Sequence, residues 1–171
     1  MRGLVVGCGS IGRRHAQNLK FLGISDLGVV ESDPERRERA ASDLGISAFA
    51  GIAEGLGWSP DFVVIATPTS LHVSQALEVA SRGFAVFIEK PLSHMPAGIA
   101  ELSRTIDQRS LVSMVGCNMR FHPGPRKVKE IIEQGRLGKI VCARIHAGSY
   151  LPAWRPAFGQ VYWPPVRERT G

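Results

Sequence analysis

The sequence has few aromatic residues and no long apolar run, and each shortage excludes a class of protein. Aromatic residues make up 7% of the 171 residues, and no basic block is interleaved with them, so the net charge of +6 does not predict nucleic-acid binding. No apolar run approaches the roughly 20 residues that span a bilayer, so we expect no membrane interaction. The scattered basic residues suit attraction to small anionic molecules instead.

The chain also has no paired cysteines and no recognisable leader. Cys8, Cys117 and Cys142 have neither the spacing of a disulfide framework nor that of a metal site. We therefore expect reduced thiols and no bound metal. Residues 1–3 run straight into an apolar segment, where a secretory signal would place a basic region and a longer apolar one. These features predict a cytoplasmic protein.

Short apolar segments alternate with amphipathic ones along the first two thirds of the chain. This alternation predicts βαβ units around a parallel sheet, with helical stripes such as Ile99, Leu102 and Ile106 between the strands. Several strand segments are apolar throughout, which is typical of strands covered by helices on both faces. The fold class is therefore α/β, a Rossmann-type doubly wound, mostly parallel sheet. The predicted strands are 4–6, 27–31, 47–50, 62–66, 85–88 and 111–116.

The character of the sequence changes after Asn118, so we predict one domain over 1–118 and the start of a second, truncated α+β domain over 119–171. Residues 123–134 have helical periodicity and end at Gly135, and residues 139–147 alternate like a half-solvated strand. The segment 151–171 contains four prolines without any period and is expected to be a loop or poorly ordered.

A glycine-rich loop follows the first predicted strand and opens a helix. The segment Gly7-Cys8-Gly9-Ser10-Ile11-Gly12 matches G-x-G-x-x-G. Gly7 permits the tight turn, Gly9 lets a pyrophosphate approach the backbone, and Gly12 lets the helix pack closely on the strand. The helix start at Ser10 and Ile11 supplies N–H donors and partial positive charge to the phosphates. This context predicts a bound dinucleotide rather than a purely structural turn.

An acidic residue near the end of the second predicted strand favours NAD over NADP. Glu31 lies about 20 residues after the last glycine, where a carboxylate binds the ribose hydroxyls and repels a 2′-phosphate. A solvated glutamate at the end of a strand is the other interpretation. Ser32, Arg36 and Arg37 are near enough in the sequence to bind a phosphate, so NADP also stays open.

Four motifs together resemble one family of enzymes. They are the segments Gly7–His15 (GCGSIGRRH), 66–72 (ATPTSLH), 89–91 (EKP) and 116–123 (GCNMRFHP), and they fall within roughly residues 1–150. The chain resembles the Gfo/Idh/MocA oxidoreductases, and the EKP segment at this distance from the glycine loop is far more specific than the glycine loop alone. The resemblance implies oxidation or reduction of a hydroxyl carbon on a sugar, cyclitol or related polyol. It also implies a second domain that forms the substrate pocket and a homo-oligomer interface.

The resemblance assigns further site residues. Lys90 matches the lysine that reaches the nicotinamide ribose and the reacting hydroxyl, where its charge can stabilise a developing alkoxide. Glu89 can orient that lysine or change its pKa. Thr67, Pro68 and His72 match the loop that lies along the cofactor.

Several of these assignments have a plainer alternative. Lys90 can be an exposed lysine before a proline. His72 can be a surface histidine, and His15 faces the same choice, with a structural role favoured for it. Asn118 and Arg120 match positions near the nicotinamide and the substrate, but Arg120 can also pair with an acid at the domain junction.

The Asp-x-x-x-His motif that supplies an acid/base histidine in such enzymes is missing here. None of the five histidines has an acidic residue four positions before it. We therefore expect the chain alone to bind cofactor but not to turn over substrate. The alternatives are a non-catalytic dinucleotide-binding module or remnant, and a Rossmann-like domain used only for protein interaction.

Overall fold

A computed structural model of the chain describes residues 1–146 and residue 148. It contains all six predicted strands, with ends that differ by a few residues from the prediction. Glu31 and Ala66 fall just after their strands, and the last strand is shorter than predicted. The strands are β1 (Arg2–Val6), β2 (Asp26–Val30), β3 (Ser47–Phe49), β4 (Phe62–Ile65), β5 (Ala85–Ile88) and β6 (Ser113–Val115).

The six strands form one parallel sheet in the order β3-β2-β1-β4-β5-β6. This is the doubly wound order in which the direction of winding reverses between β1 and β4. The centre of the sheet is apolar on both faces, because Leu4 and Val6 point to one side and Val5 to the other. The predicted fold class is confirmed.

Five helices connect and cover the strands. They are α1 (Ser10–Phe21), α2 (Pro34–Leu44), α3 (Ile52–Gly57), α4 (His72–Ser81) and α5 (Ile99–Gln108). Helices α1 and α2 bury small or apolar residues such as Ala16 and Ala40 against one face of the sheet. Helices α3, α4 and α5 cover the other face with residues such as Leu56, Ala76 and Leu102. No helix in the described part of the chain is long and apolar enough to cross a membrane.

The chain divides into two compact units, and the first of them is Met1–His122. The predicted boundary after Asn118 therefore lies four residues before this division. The second unit begins at Pro123 with α6 (Pro123–Glu133), which has Val128 and Ile132 exposed. Gly135 follows the helix with φ +67°, a conformation that favours glycine, as its predicted role as a helix stop requires.

The strand predicted over 139–147 is not present in its described part. Residues 139–146 have no regular secondary structure and are exposed, and residue 147 lies outside the described residues. Alternating side chains alone do not make a strand, because its backbone needs hydrogen bonds from a neighbouring strand. No described segment pairs with these residues. The loop predicted over 151–171 also lies outside the described residues.

Candidate functional site

The predicted site residues lie at the carboxyl edge of the sheet. The loops after β1, β2, β4, β5 and β6 carry the glycine motif, Glu31, Thr67, Lys90 and Asn118, in that order. In doubly wound sheets, ligands bind in the crevice at this edge, where the strand order reverses. The reversal lies between β1 and β4, so the glycine loop and the Thr67 loop border the crevice.

The three glycines of the loop have three different local environments. Gly7 has φ +91°, and a Cβ there would lie 2.8 Å from the Thr67 side chain. A Cβ on Gly12 would overlap the carbonyl oxygen of Gly7, so the close approach of α1 to the loop requires glycine. A Cβ on Gly9 would meet nothing within 4 Å. The fold therefore requires glycine at Gly7 and Gly12, whereas at Gly9 the space is left open to a ligand.

Helix α1 presents an uncapped N-terminus at the same place. Its N-cap residue is Gly9, which has no side chain to accept from the first-turn N–H groups, and no acidic residue lies in that turn. Ser10 is exposed and Ile11 half-buried. The backbone N–H groups and the partial positive charge of the helix end are therefore available to a phosphate, as the motif predicts.

Glu31 holds the glycine loop from the next strand. One oxygen of its carboxylate accepts the backbone N–H of Cys8 at 3.0 Å, and the other accepts the backbone N–H of Asp33 at 3.2 Å. The carboxylate is thus fixed beside the loop, where it can also accept hydrogen bonds from ribose hydroxyls. The sequence predicted the ribose contact but not the bond to Cys8.

Cys8 itself is buried beneath the loop and is not a reactive thiol. Burial raises the pKa of its thiol, with the Glu31 carboxylate adding to the rise and the Arg13 guanidinium opposing it. Since the thiolate is the nucleophilic form, a raised pKa leaves Cys8 protonated at neutral pH. The residue serves packing, as the expectation of a reduced thiol implied.

The two arginines near Glu31 differ in whether the guanidinium is already hydrogen-bonded. Arg37 donates from its guanidinium to the backbone carbonyl of Glu31 at 2.9 Å, so it braces the loop. Arg36 is exposed and its guanidinium bonds to no described residue, while its backbone N–H donates to the side chain of the helix cap Asp33 at 2.8 Å. Ser32 is exposed as well. Within the described chain, Arg36 is therefore the arginine free to meet a phosphate.

The segment after β5 is held through Glu89. One Glu89 oxygen lies 2.8 Å from Nε2 of His15 on α1, and the other accepts the backbone N–H of Lys90 at 3.0 Å. The His15 ring also packs edge-on against Phe87. This supports the structural role favoured for His15. Glu89 orients Lys90 through the backbone, while the Lys90 side chain is exposed and bonds to no described residue.

The environment of His72 contradicts one of the two interpretations of it. It is 1% exposed, so it is not a surface histidine. Its Nε2 lies 2.9 Å from the carbonyl oxygen of Thr67 and its Nδ1 lies 2.9 Å from that of Pro91. Both ring nitrogens therefore face backbone carbonyls, and His72 joins the two loops of the site.

The rest of the Thr67 loop remains available to a ligand. The Thr67 hydroxyl donates to the side-chain oxygen of Gln75, and Pro68 is exposed beside it. Asn118 and Arg120 lie in a short 3₁₀ turn, Asn118–Phe121, and their side chains are exposed. Arg120 pairs with no acid among the described residues, so the ion-pair alternative finds no support there.

These features define a dinucleotide-binding Rossmann domain. A family model described as an oxidoreductase family with an NAD-binding Rossmann fold, GFO_IDH_MocA, matches residues 1–117. The chain belongs to this family, Gfo/Idh/MocA, which confirms the resemblance. The cofactor of the family is NAD, and the open space at Gly9, the uncapped α1 and the fixed Glu31 carboxylate fit it. No group of side chains suited to a metal ion occurs among the described residues.

Three similar proteins illustrate the family. The chain is 32% identical over 145 residues to scyllo-inositol 2-dehydrogenase (NAD(+)) of Bacillus subtilis, covering 82% of this chain and 42% of that protein. It is 34% identical over 131 residues to UDP-N-acetylglucosamine 3-dehydrogenase of Acidithiobacillus ferrooxidans, covering 76% and 41%. The WlbA dehydrogenase of Bordetella pertussis, solved with NADH and UDP-GlcNAcA, matches with a TM-score of 0.77 at 31% identity, covering 81% and 43%. The chain thus spans less than half the length of these relatives.

Proposed function

We propose that this chain supplies the cofactor-binding part of an NAD-dependent dehydrogenase that acts on a hydroxyl carbon of a sugar, cyclitol or related polyol. The observation that supports this is the placement of Lys90. Its side chain is exposed and unpaired within the described chain, and it lies two residues after the end of β5, which neighbours β4 beside the crevice. An ammonium in that position can donate to a substrate oxygen and stabilise negative charge on it.

The other site residues have the following roles in this proposal. NAD, when bound, supplies the hydride acceptor. The N–H groups at the start of α1 bind its phosphates, and Glu31 accepts from its adenosine ribose. Thr67 and Pro68 lie along the cofactor, and Glu89 fixes the backbone at Lys90. Asn118 and Arg120 face the substrate side, where polyol hydroxyls or an acidic group would find donors.

A direct test uses the chain as it stands, with scyllo-inositol and UDP-GlcNAcA as probes. We expect NADH binding by fluorescence titration, but no NAD⁺ reduction in the presence of either probe. One lysine does not hold a substrate carbon in line with the acceptor, and an absent acid/base alone lowers the rate by ~10²–10⁴. The Gly9→Ala variant is the binding-deficient control. A chain that fails to bind NADH would favour the interaction-only alternative, and robust turnover would contradict this division of labour.

The choice of NAD over NADP is tested at Glu31. We expect the chain to prefer NADH over NADPH, and Glu31→Gln to narrow that preference by about tenfold, or ~1.4 kcal/mol. The amide removes the charge that repels a 2′-phosphate, yet its oxygen can still accept the Cys8 N–H. Parallel titrations of both cofactors measure the ratio.

The matched control for this experiment is Glu38→Gln, which removes the same charge from an exposed position on α2. It should leave the ratio unchanged. Arg36→Ala should weaken NADPH more than NADH, because Arg36 is the arginine free to meet the extra phosphate. Equal affinities of the unmodified chain for both cofactors would contradict the assignment of Glu31.

A further inference from the structure

His72 is the buried polar residue of the described core, and its position does not follow from the fold alone. It is the first residue of α4 and lies directly after the 3₁₀ turn Thr69–Leu71. A histidine there could point to solvent, as most residues in the first turn of a surface helix do. Instead its ring lies between the loop after β4 and the loop after β5, which are neighbours at the carboxyl edge of the sheet.

The two contacts of the ring have the same chemistry. Both partners, the carbonyls of Thr67 and Pro91, are oxygens that can only accept. Each contact is therefore a hydrogen bond when the facing nitrogen carries a proton, and the doubly protonated ring makes both at once. The ring joins two backbone segments that lie 24 residues apart in the sequence.

Lys90 lies between two such attachments. On its N-terminal side, Glu89 accepts the Lys90 N–H and contacts His15 of α1. On its C-terminal side, the next residue is Pro91, whose carbonyl bonds to His72. The Lys90 side chain has no partner of its own in the described chain, so its direction depends on how this backbone segment is held.

We propose that His72 is a positioning residue that directs Lys90 toward the nicotinamide end of the crevice through its bond to the Pro91 carbonyl. The inference rests on the proposed function, because it assumes that Lys90 faces a bound NAD. His72 itself touches neither cofactor nor substrate. Its bond to the Thr67 carbonyl then serves mainly to hold the loop after β4 against the ring.

Two substitutions separate the two bonds. In His72→Asn the side-chain amide nitrogen takes the place of Nδ1 and can still donate to Pro91. In His72→Gln it takes the place of Nε2 and can still donate to Thr67. Both variants keep a buried polar side chain, so a purely structural role predicts similar losses of stability and similar behaviour of Lys90 in the two.

The readout is the NMR signal of Lys90 after reductive methylation of the full chain with ¹³C-formaldehyde, which preserves the lysine charge. The Lys90→Arg variant assigns that signal among the five lysines, and Lys127 and Lys129 on α6 serve as internal controls. NAD⁺ is the probe, its affinity is measured in the same titration, and thermal unfolding reports stability.

We expect NAD⁺ to shift the Lys90 signal in the unmodified chain and in His72→Asn. In His72→Gln most of that shift should be lost. The NAD⁺ affinity of both variants should stay within about threefold of the unmodified chain. Loss of the shift in His72→Asn, or its retention in His72→Gln, would overturn the positioning role alone. Should His72→Gln not fold, the behaviour of His72→Asn still decides. No response of Lys90 in the unmodified chain would overturn the proposed function together with this inference.

Discussion

Gly12→Ala is expected to lower the melting temperature of the chain by roughly 10 °C or more, whereas Gly9→Ala should leave it nearly unchanged. A Cβ on Gly12 would overlap the carbonyl oxygen of Gly7 and lie 2.9 Å from its carbonyl carbon. Backbone cannot move aside as a flexible side chain can, so α1 would have to lift from the loop after β1. At Gly9 the added methyl group meets nothing within 4 Å, and the backbone there already has φ −68°.

The order of effects reverses for cofactor binding. We expect Gly9→Ala to weaken NADH by about tenfold or more, because the methyl group projects where the pyrophosphate would approach the backbone. Thermal unfolding and NADH titration of the same preparations measure both quantities. Gly57→Ala, on α3 and also in open space, is the control and should alter neither. A Gly9 variant that binds NADH normally would place the pyrophosphate elsewhere.

Much of the first unit could be predicted from the sequence because its determinants are local. The strands are buried on both faces, so segments such as 62–66 are continuously apolar and recognisable without knowledge of their neighbours. The roles of Gly7 and Gly12 also follow from residues close together in the chain. The prediction of a strand over 139–147 was wrong because its determinant is not local. Strand formation depends on a neighbouring strand, which the pattern of side chains does not reveal.

The features that the sequence did not predict all join distant segments. His15 and Glu89 are separated by 74 residues, and Cys8 and Glu31 by 23. The burial of His72 depends on Pro91, which arrives from another βα loop. The motif spacing assigned Glu89 and His72 to the site, but only the packed loops show that Glu89 contacts His15 and that His72 contacts the Pro91 carbonyl.

The largest effect on catalysis is expected at Lys90, and it can be measured in a chimera. The chimera joins Met1–His122 of this chain to the remaining part of the Bacillus subtilis scyllo-inositol 2-dehydrogenase, and its turnover of scyllo-inositol is the reference. Lys90→Met keeps the length of the side chain but removes its charge and donors. We expect kcat to fall by ~10²–10³, the range found when one donor that stabilises a developing oxyanion is lost. The affinity for NAD⁺ should change by less than about threefold, since the phosphates and the adenosine ribose are bound elsewhere.

The division between these two effects is what identifies a group that acts in the transition state. Removal of a residue that binds substrate and transition state equally would raise KM and leave kcat unchanged. Lys90→Arg should recover part of the activity, because the guanidinium keeps the charge but presents it in a different geometry. His94→Ala is the matched control: it lies four residues further along the same loop, is exposed, and should keep full activity. If Lys90→Met kept the turnover of the unmodified chimera, Lys90 would be an exposed lysine before a proline, and stabilisation of the developing alkoxide would have to come from the substrate domain.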